Sequence, residues 1–245
     1  VQLALTLVEP QSSGIGGGAF ILHWNEKENA LTTFDGRETA PLAAKADMFL
    51  KEDGQPMRWI DAVVGGRSVG VPGVLHALYQ AHQLHGKLPW AVLFEDVIKL
   101  AENGFIVSPR LEKLVGIRMN PGLEKLPEIN AYFYPDGIAI KSGDTLKNPK
   151  LAAVYRALAK EGIKPFYQGW IADSMVKAVQ GAKIAPGTLS KEDLANYRSK
   201  EVPAVCGPYR QFRVCGMAPP RSGGIAVIQI LAQLERFEMK NDLTE

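Results

Sequence analysis

The stretch Glu9–Pro41, EPQSSGIGGGAFILHWNEKENALTTFDGRETAP, decides how the rest of the sequence is read. Glycines at Gly14, Gly16, Gly17 and Gly18 run directly into the apolar segment Phe20-Ile21-Leu22, a charged turn follows, and a second apolar segment ends at Asp35-Gly36-Arg37-Glu38. A glycine run removes side chains where backbone or ligand approaches closely, and the apolar segments on either side of a polar turn predict a hairpin whose first strand is core. The hairpin delivers Arg37 at a strand end, and a planar guanidinium fork there suits a carboxylate.

The 245 residues, 46% hydrophobic and 22% charged, suffice for a substantial core. The 28 basic and 26 acidic residues are spread along the chain for a net charge of +2, without a basic stripe interleaved with aromatics, so no nucleic-acid partner is expected. No apolar run reaches the length of a membrane span, and the opening VQLALTLVEP lacks a basic leader and cleavage site, so it reads as the end of a buried helix in a fold begun upstream. Cys206 and Cys215, nine residues apart around an expected turn at Gly207-Pro208, are either two free core thiols or one disulfide, and free thiols are favoured.

Helical spacing predicts a short packing helix over 43–50, a helix over 74–85 stopped by Gly86, and one over 90–103 after Pro89, the last two as an antiparallel pair. Ser108 caps a helix from Pro109 to about Ile117, Asn148 caps one from Pro149 to Lys160, residues 171–179 continue as helix, and Ser190 opens a short helix through Arg198. Residues 130–143, with their Asp136-Gly137 turn, predict a small hairpin, and 204–217 a pair of strands. The loop Ala218–Gly224 feeds a helix over 225–237. The passage Gly65–Gly73 is too rich in glycine for a helix.

Several chemistries fail on context. Gly14–Gly18 lacks the Lys-Ser pair of a phosphate loop and is followed by a strand, where a dinucleotide fold requires a helix. His82 and His85 have no third ligand at a matching spacing, and they and His76 read as a solvated face. Asp35, Glu38 and Asp61 are acid-base residues by type, with nothing in their spacing to single them out. No cofactor and no metal are expected. The residues alone support a mixed α+β segment with an anion-gripping arginine.

The ordered blocks VEPQSSGIGGGAF, DGRETAP, GRSVGVPGV, HGKLPW, AENGFIVSPRL, SKEDLANYRSKE, then CGPYR, VCGMAPP and SGGIAVIQIL, from about Val8 to about Phe237, resemble the large subunit of the γ-glutamyltranspeptidases. The resemblance implies an N-terminal nucleophile hydrolase fold, a four-layer αββα sandwich of α+β class, with residues 1–245 a partial large subunit. It implies a γ-glutamyl substrate such as glutathione, gripped through its α-carboxylate by Arg37. It also implies a small subunit cut from the same precursor, whose leading threonine is the nucleophile, and a periplasmic or secreted location. The family's catalytic threonine stretch is absent from the sequence, and Thr32-Thr33 lacks its context, so no catalytic residue is assigned. Arg221 stands in the Pro219–Gly224 loop where the family commonly has a serine, and it reads as a tolerated surface change in preference to the mark of a different substrate, with a related acylase or amidohydrolase as the nearest alternative. A non-catalytic interaction module is the remaining alternative.

Overall fold

In the computed structural model, which describes residues 1–118 and 120–237, the opening stretch is an antiparallel hairpin. Helix α1 (Gln2–Val8) leads through the glycine loop into β1 (Ala19–Asn25), and β1 pairs with β2 (Ala30–Gly36) in a register that sets Ala19 opposite Gly36. Alternating Thr and aromatic or aliphatic residues suit these strands. The helices α2 (Trp59–Val63) and α3 (Val74–His85) follow, and α3 packs across both strands.

Next come a 3-10 turn over Trp90–Phe94, α4 (Glu95–Asn103), β3 (Phe105–Ile106), α5 (Pro109–Gly116), α6 (Pro127–Phe133), β4 (Thr145–Leu146) and α7 (Pro149–Glu161). Then α8 (Lys164–Gln168), α9 (Trp170–Gln180), α10 (Lys191–Asn196), β5 (Lys200–Glu201), the hairpin β6 (Val205–Tyr209) and β7 (Phe212–Gly216), and α11 (Gly223–Leu234) follow among the described residues. Strand β5 joins β2, so the main sheet runs β1-β2-β5 with β1 at its edge.

The predicted caps form. The Ser108 and Asn148 side chains accept from Leu111 N and Leu151 N, and Ser190 forms a capping box with Asp193. One buried cluster joins Val71, Leu75, Phe94, Tyr155, Leu158 and Leu194, and a second joins Leu7, Phe105, Leu111 and Val115. Polar groups within them are paired: Trp90 Nε1 donates to Leu158 O at 2.9 Å, and the Tyr167 hydroxyl to Pro72 O at 3.0 Å.

Five expectations are corrected. Residues 130–143 are not a hairpin, because Pro127 opens α6 at its first turn and a 3-10 turn over Pro135–Gly137 follows. Residues 43–50 form successive turns rather than a helix. The turn of the late hairpin lies at Arg210-Gln211, and Gly207-Pro208 sits within β6. Cys206 and Cys215 face each other across that hairpin and form a disulfide rather than two free thiols. Strand β1 is not simply core: Leu22 is 44% and Trp24 50% exposed, because nothing among the described residues covers its outer edge and face. In addition, α3 packs on the sheet whereas α4 packs on α7, so the expected antiparallel pair divides between two surfaces.

Candidate active site around Arg37

Arg37 follows the last residue of β2, and its position is set from three sides. Its own backbone N–H donates to Asp35 Oδ1 at 2.8 Å, which closes the turn out of the strand. Its carbonyl accepts from the Tyr197 hydroxyl at 2.7 Å. Five residues on, Leu42 N donates to Asp193 Oδ1 at 2.8 Å, while the other oxygen of Asp193 accepts from Ser190 N. Thus α10 and the tyrosine beyond it hold both ends of the Arg37–Leu42 segment. Asp193 is buried at 6% exposure and fully engaged, so its role is to position backbone.

The glycines let these pieces meet. Gly17 O accepts from Gly73 N at 2.9 Å and from Val74 N at 3.0 Å, which ties the glycine loop to the start of α3. A Cβ on Gly18 would stand 2.7 Å from Gly36 O, and one on Gly73 would stand 2.4 Å from Gly36 O and 2.0 Å from the Tyr197 hydroxyl. Strand, loop and helix therefore approach more closely than any side chain allows. Gly16, by contrast, has open space around it and borders a cavity.

That cavity, about 520 Å³, is bounded by Gly16, Arg37, Glu38, Phe49, Arg67 and Gly70. The Arg37 side chain is 64% exposed and its Nε lies 3.4 Å from Glu38 Oε2. That long ion pair is at Nε, and among the described residues the terminal nitrogens of the fork make no ion pair, which leaves them free for a carboxylate. The neighbouring Tyr197 phenol is pushed up to about 12, first by burial and then by the carboxylates of Asp35 and Glu38. It stays protonated at neutral pH and keeps donating to Arg37 O.

The other singled-out residues lie apart. Asp61 is bound to Arg58 at 2.7 Å on the surface. Thr33 is buried and donates to Val202 O, a structural hydroxyl. His85 stacks on His23 at 3.8 Å between centroids, and His82 Nε2 donates to Leu88 O at 2.8 Å, so these two pack rather than form the expected solvated face. His76 packs against Tyr167 and Tyr197, and burial, followed by Arg198, holds its pKa below the usual value. Among the described residues no cluster of three metal-ligating side chains occurs and no helix is long and apolar enough to cross a membrane. Arg221 borders a different cavity, of about 500 Å³, with Phe20, Leu22 and Val227.

Sequence reasoning did not reach Tyr197, Asp193 or Arg67. The first two sit in the SKEDLANYRSKE block, whose capping pattern was readable but whose distant partners were not.

The family model described as gamma-glutamyltranspeptidase matches residues 1–245. The chain is 36% identical over 237 residues to glutathione hydrolase 3 of Arabidopsis thaliana, covering 97% of this chain and 36% of that protein. It is 35% identical over 241 residues to a glutathione hydrolase proenzyme of Bacillus subtilis (strain 168), covering 98% of this chain and 40% of the relative. The chain therefore spans well under half the length of these curated relatives. A Helicobacter pylori gamma-glutamyltranspeptidase crystal structure superposes with a TM-score of 0.92 at 30% identity, covering 100% of this chain and 69% of that one. A cephalosporin acylase structure from Bacillus halodurans superposes with a TM-score of 0.80 at 27% identity, covering 99% and 45%. The α+β fold is that of the N-terminal nucleophile hydrolases.

Proposed function

Because this chain belongs to the γ-glutamyltranspeptidase family, we propose that it forms the large-subunit part of an enzyme that hydrolyses or transfers γ-glutamyl groups from glutathione and related amides. The observation that carries the reading is the exposed Arg37 fork, its backbone carbonyl held by Tyr197, opening on a cavity of about 520 Å³. In this reading the fork takes the α-carboxylate of the γ-glutamyl group in a bidentate pair, which a lysine cannot reproduce. Binding at that end orients the γ-carbonyl for attack. The nucleophile is a threonine outside residues 1–245, freed by self-cleavage of a precursor, with its own α-amine as base.

The open edge of β1, with Leu22 and Trp24 exposed, supports a small subunit that completes the sheet. The Cys206–Cys215 disulfide supports a periplasmic or secreted location. Incubating the intact, self-cleaved protein with a chromogenic γ-glutamyl anilide tests the assignment: release of the aniline is expected, and its absence sinks it.

The likeness to a cephalosporin acylase at 27% identity favours one second reading, an acylase for a different acyl group. Turnover of a glutaryl amide in preference to the γ-glutamyl amide would select it.

A further inference from the structure

Arg67 borders the Arg37 cavity from the opposite loop, and it also borders a second cavity of about 590 Å³ beside Lys45 and Met57. Ala44 and Met48 line both spaces too, so one groove runs from Arg37 past Arg67. The backbone of Arg67 is fixed: its N–H donates to Ala185 O at 2.7 Å, and Gly66 N to Ile184 O at 3.3 Å. A Cβ on Gly66 would stand 2.2 Å from Val179 O and 2.6 Å from Gly187 N, so that passage is clamped against the end of α9 and the segment after it.

The guanidinium, in contrast, is underused. Arg67 is half-buried, its Nη1 lies 3.0 Å from Met57 Sδ, and among the described residues it makes no ion pair. A thioether is a weak acceptor, and a partly desolvated guanidinium without a carboxylate is poorly compensated. In the second cavity Lys45 and Lys51 offset Asp47 and Glu52, which leaves the charge of Arg67 unbalanced. The groove thus offers two cationic forks carried on fixed backbone along its length, one of them already assigned to the α-carboxylate.

Resting on the γ-glutamyl reading, we propose that Arg67 is a specificity-determining residue that binds a second carboxylate, carried on the departing side of the scissile amide. Donors whose leaving group is an amino acid or peptide with a free C-terminal carboxylate then span the groove, Arg37 at one end and Arg67 at the other. Uncharged leaving groups reach only the first fork.

The test measures kcat/KM of the intact, self-cleaved protein on glutathione and on glutathione amidated at its C-terminus. The wild type is expected to prefer glutathione, and Arg67→Gln to lower that preference by about tenfold through KM, the low end for a charge-assisted pair that is partly exposed. Arg67→Lys, which keeps the charge, is expected to restore part of it. A wild type that does not distinguish the two donors overturns the proposal without any variant. So does an Arg67→Gln protein that retains the full preference. No turnover of either donor by the wild type removes the γ-glutamyl reading itself, and the role of Arg67 with it.

Discussion

At the scale of single residues, the site depends less on the arginine's own contacts than on what holds its backbone. Tyr197 is 6% exposed and spends its hydroxyl on Arg37 O, 160 residues away in sequence. Removing it as Tyr197→Phe leaves that carbonyl unpaired, for a loss of about 1 kcal/mol in stability. The loss is read in denaturant unfolding of the intact protein, with a rise in KM for the γ-glutamyl donor as the fork loses its register. A Tyr197→Phe protein with unaltered stability and KM would remove the tyrosine from the support of the site. Arg67 belongs to the same scale. Its identity was plain in the passage Gly65–Gly73, but its lack of a carboxylate partner among the described residues depends on which distant residues the fold brings near, and spacing along the chain does not encode that.

Elements were legible where the signal was local. Ser108, Asn148 and Ser190 cap the predicted helices because a cap and the backbone N–H that donates to it lie within three residues. The signal misled where two local patterns competed. Residues 130–143 carry the alternation and Asp-Gly turn of a hairpin, yet Pro127 fixes the first helical turn upstream and α6 wins. The cross-strand pairing of Cys206 with Cys215 required the register of β6 and β7, and the true turn lies at Arg210-Gln211, three residues beyond the expected one.

The glycine contacts give a prediction at this scale. A Cβ on Gly73 meets both backbone and a buried hydroxyl, so Gly73→Ala forces α3 away from β2 and costs roughly 1–3 kcal/mol. Gly54 offers the contrast: a Cβ there would have nothing within 4 Å, but the backbone has a φ of +78°, so Gly54→Ala suffers only the local conformational penalty. Thermal unfolding that ranks Gly54→Ala below Gly73→Ala would contradict the packing described.

For the whole molecule, buried phenols set an alkaline limit. Tyr155 and Tyr197 are both pushed up to about 12 from 10.0, in each case mainly by burial. Because the folded values lie above the unfolded ones, the contribution is fully present below about pH 10 and is lost as pH rises through about 12. Each tyrosine contributes on the order of 2–3 kcal/mol to that loss. His76 acts at the other end: its folded pKa is lowered, so its contribution is present above 6.5 and falls away as pH drops below that. A Tm that holds steady from pH 9 to 12 contradicts the burial assigned to the phenols.

The surface of the molecule is also uneven. The edge of β1 and the outer face of α11, with Val227 48% and Ile230 56% exposed, are apolar where a complete sandwich would cover them. Composition could not reveal this, because a strand that reads as core in sequence is only half covered within these residues.

The central claim is that Arg37 grips the α-carboxylate of the γ-glutamyl group. The direct measurement is kcat/KM of the wild type and of Arg37→Ala, each as intact self-cleaved protein, on γ-glutamyl anilide and on 4-aminobutanoyl anilide, which lacks only that carboxylate. The wild type is predicted to favour the γ-glutamyl donor strongly, and Arg37→Ala to lose about 2–5 kcal/mol of that preference, the scale for a charge that the bound substrate buries and that is then deprived of its partner. An Arg37→Ala enzyme that discriminates between the two donors as well as the wild type does would contradict the account.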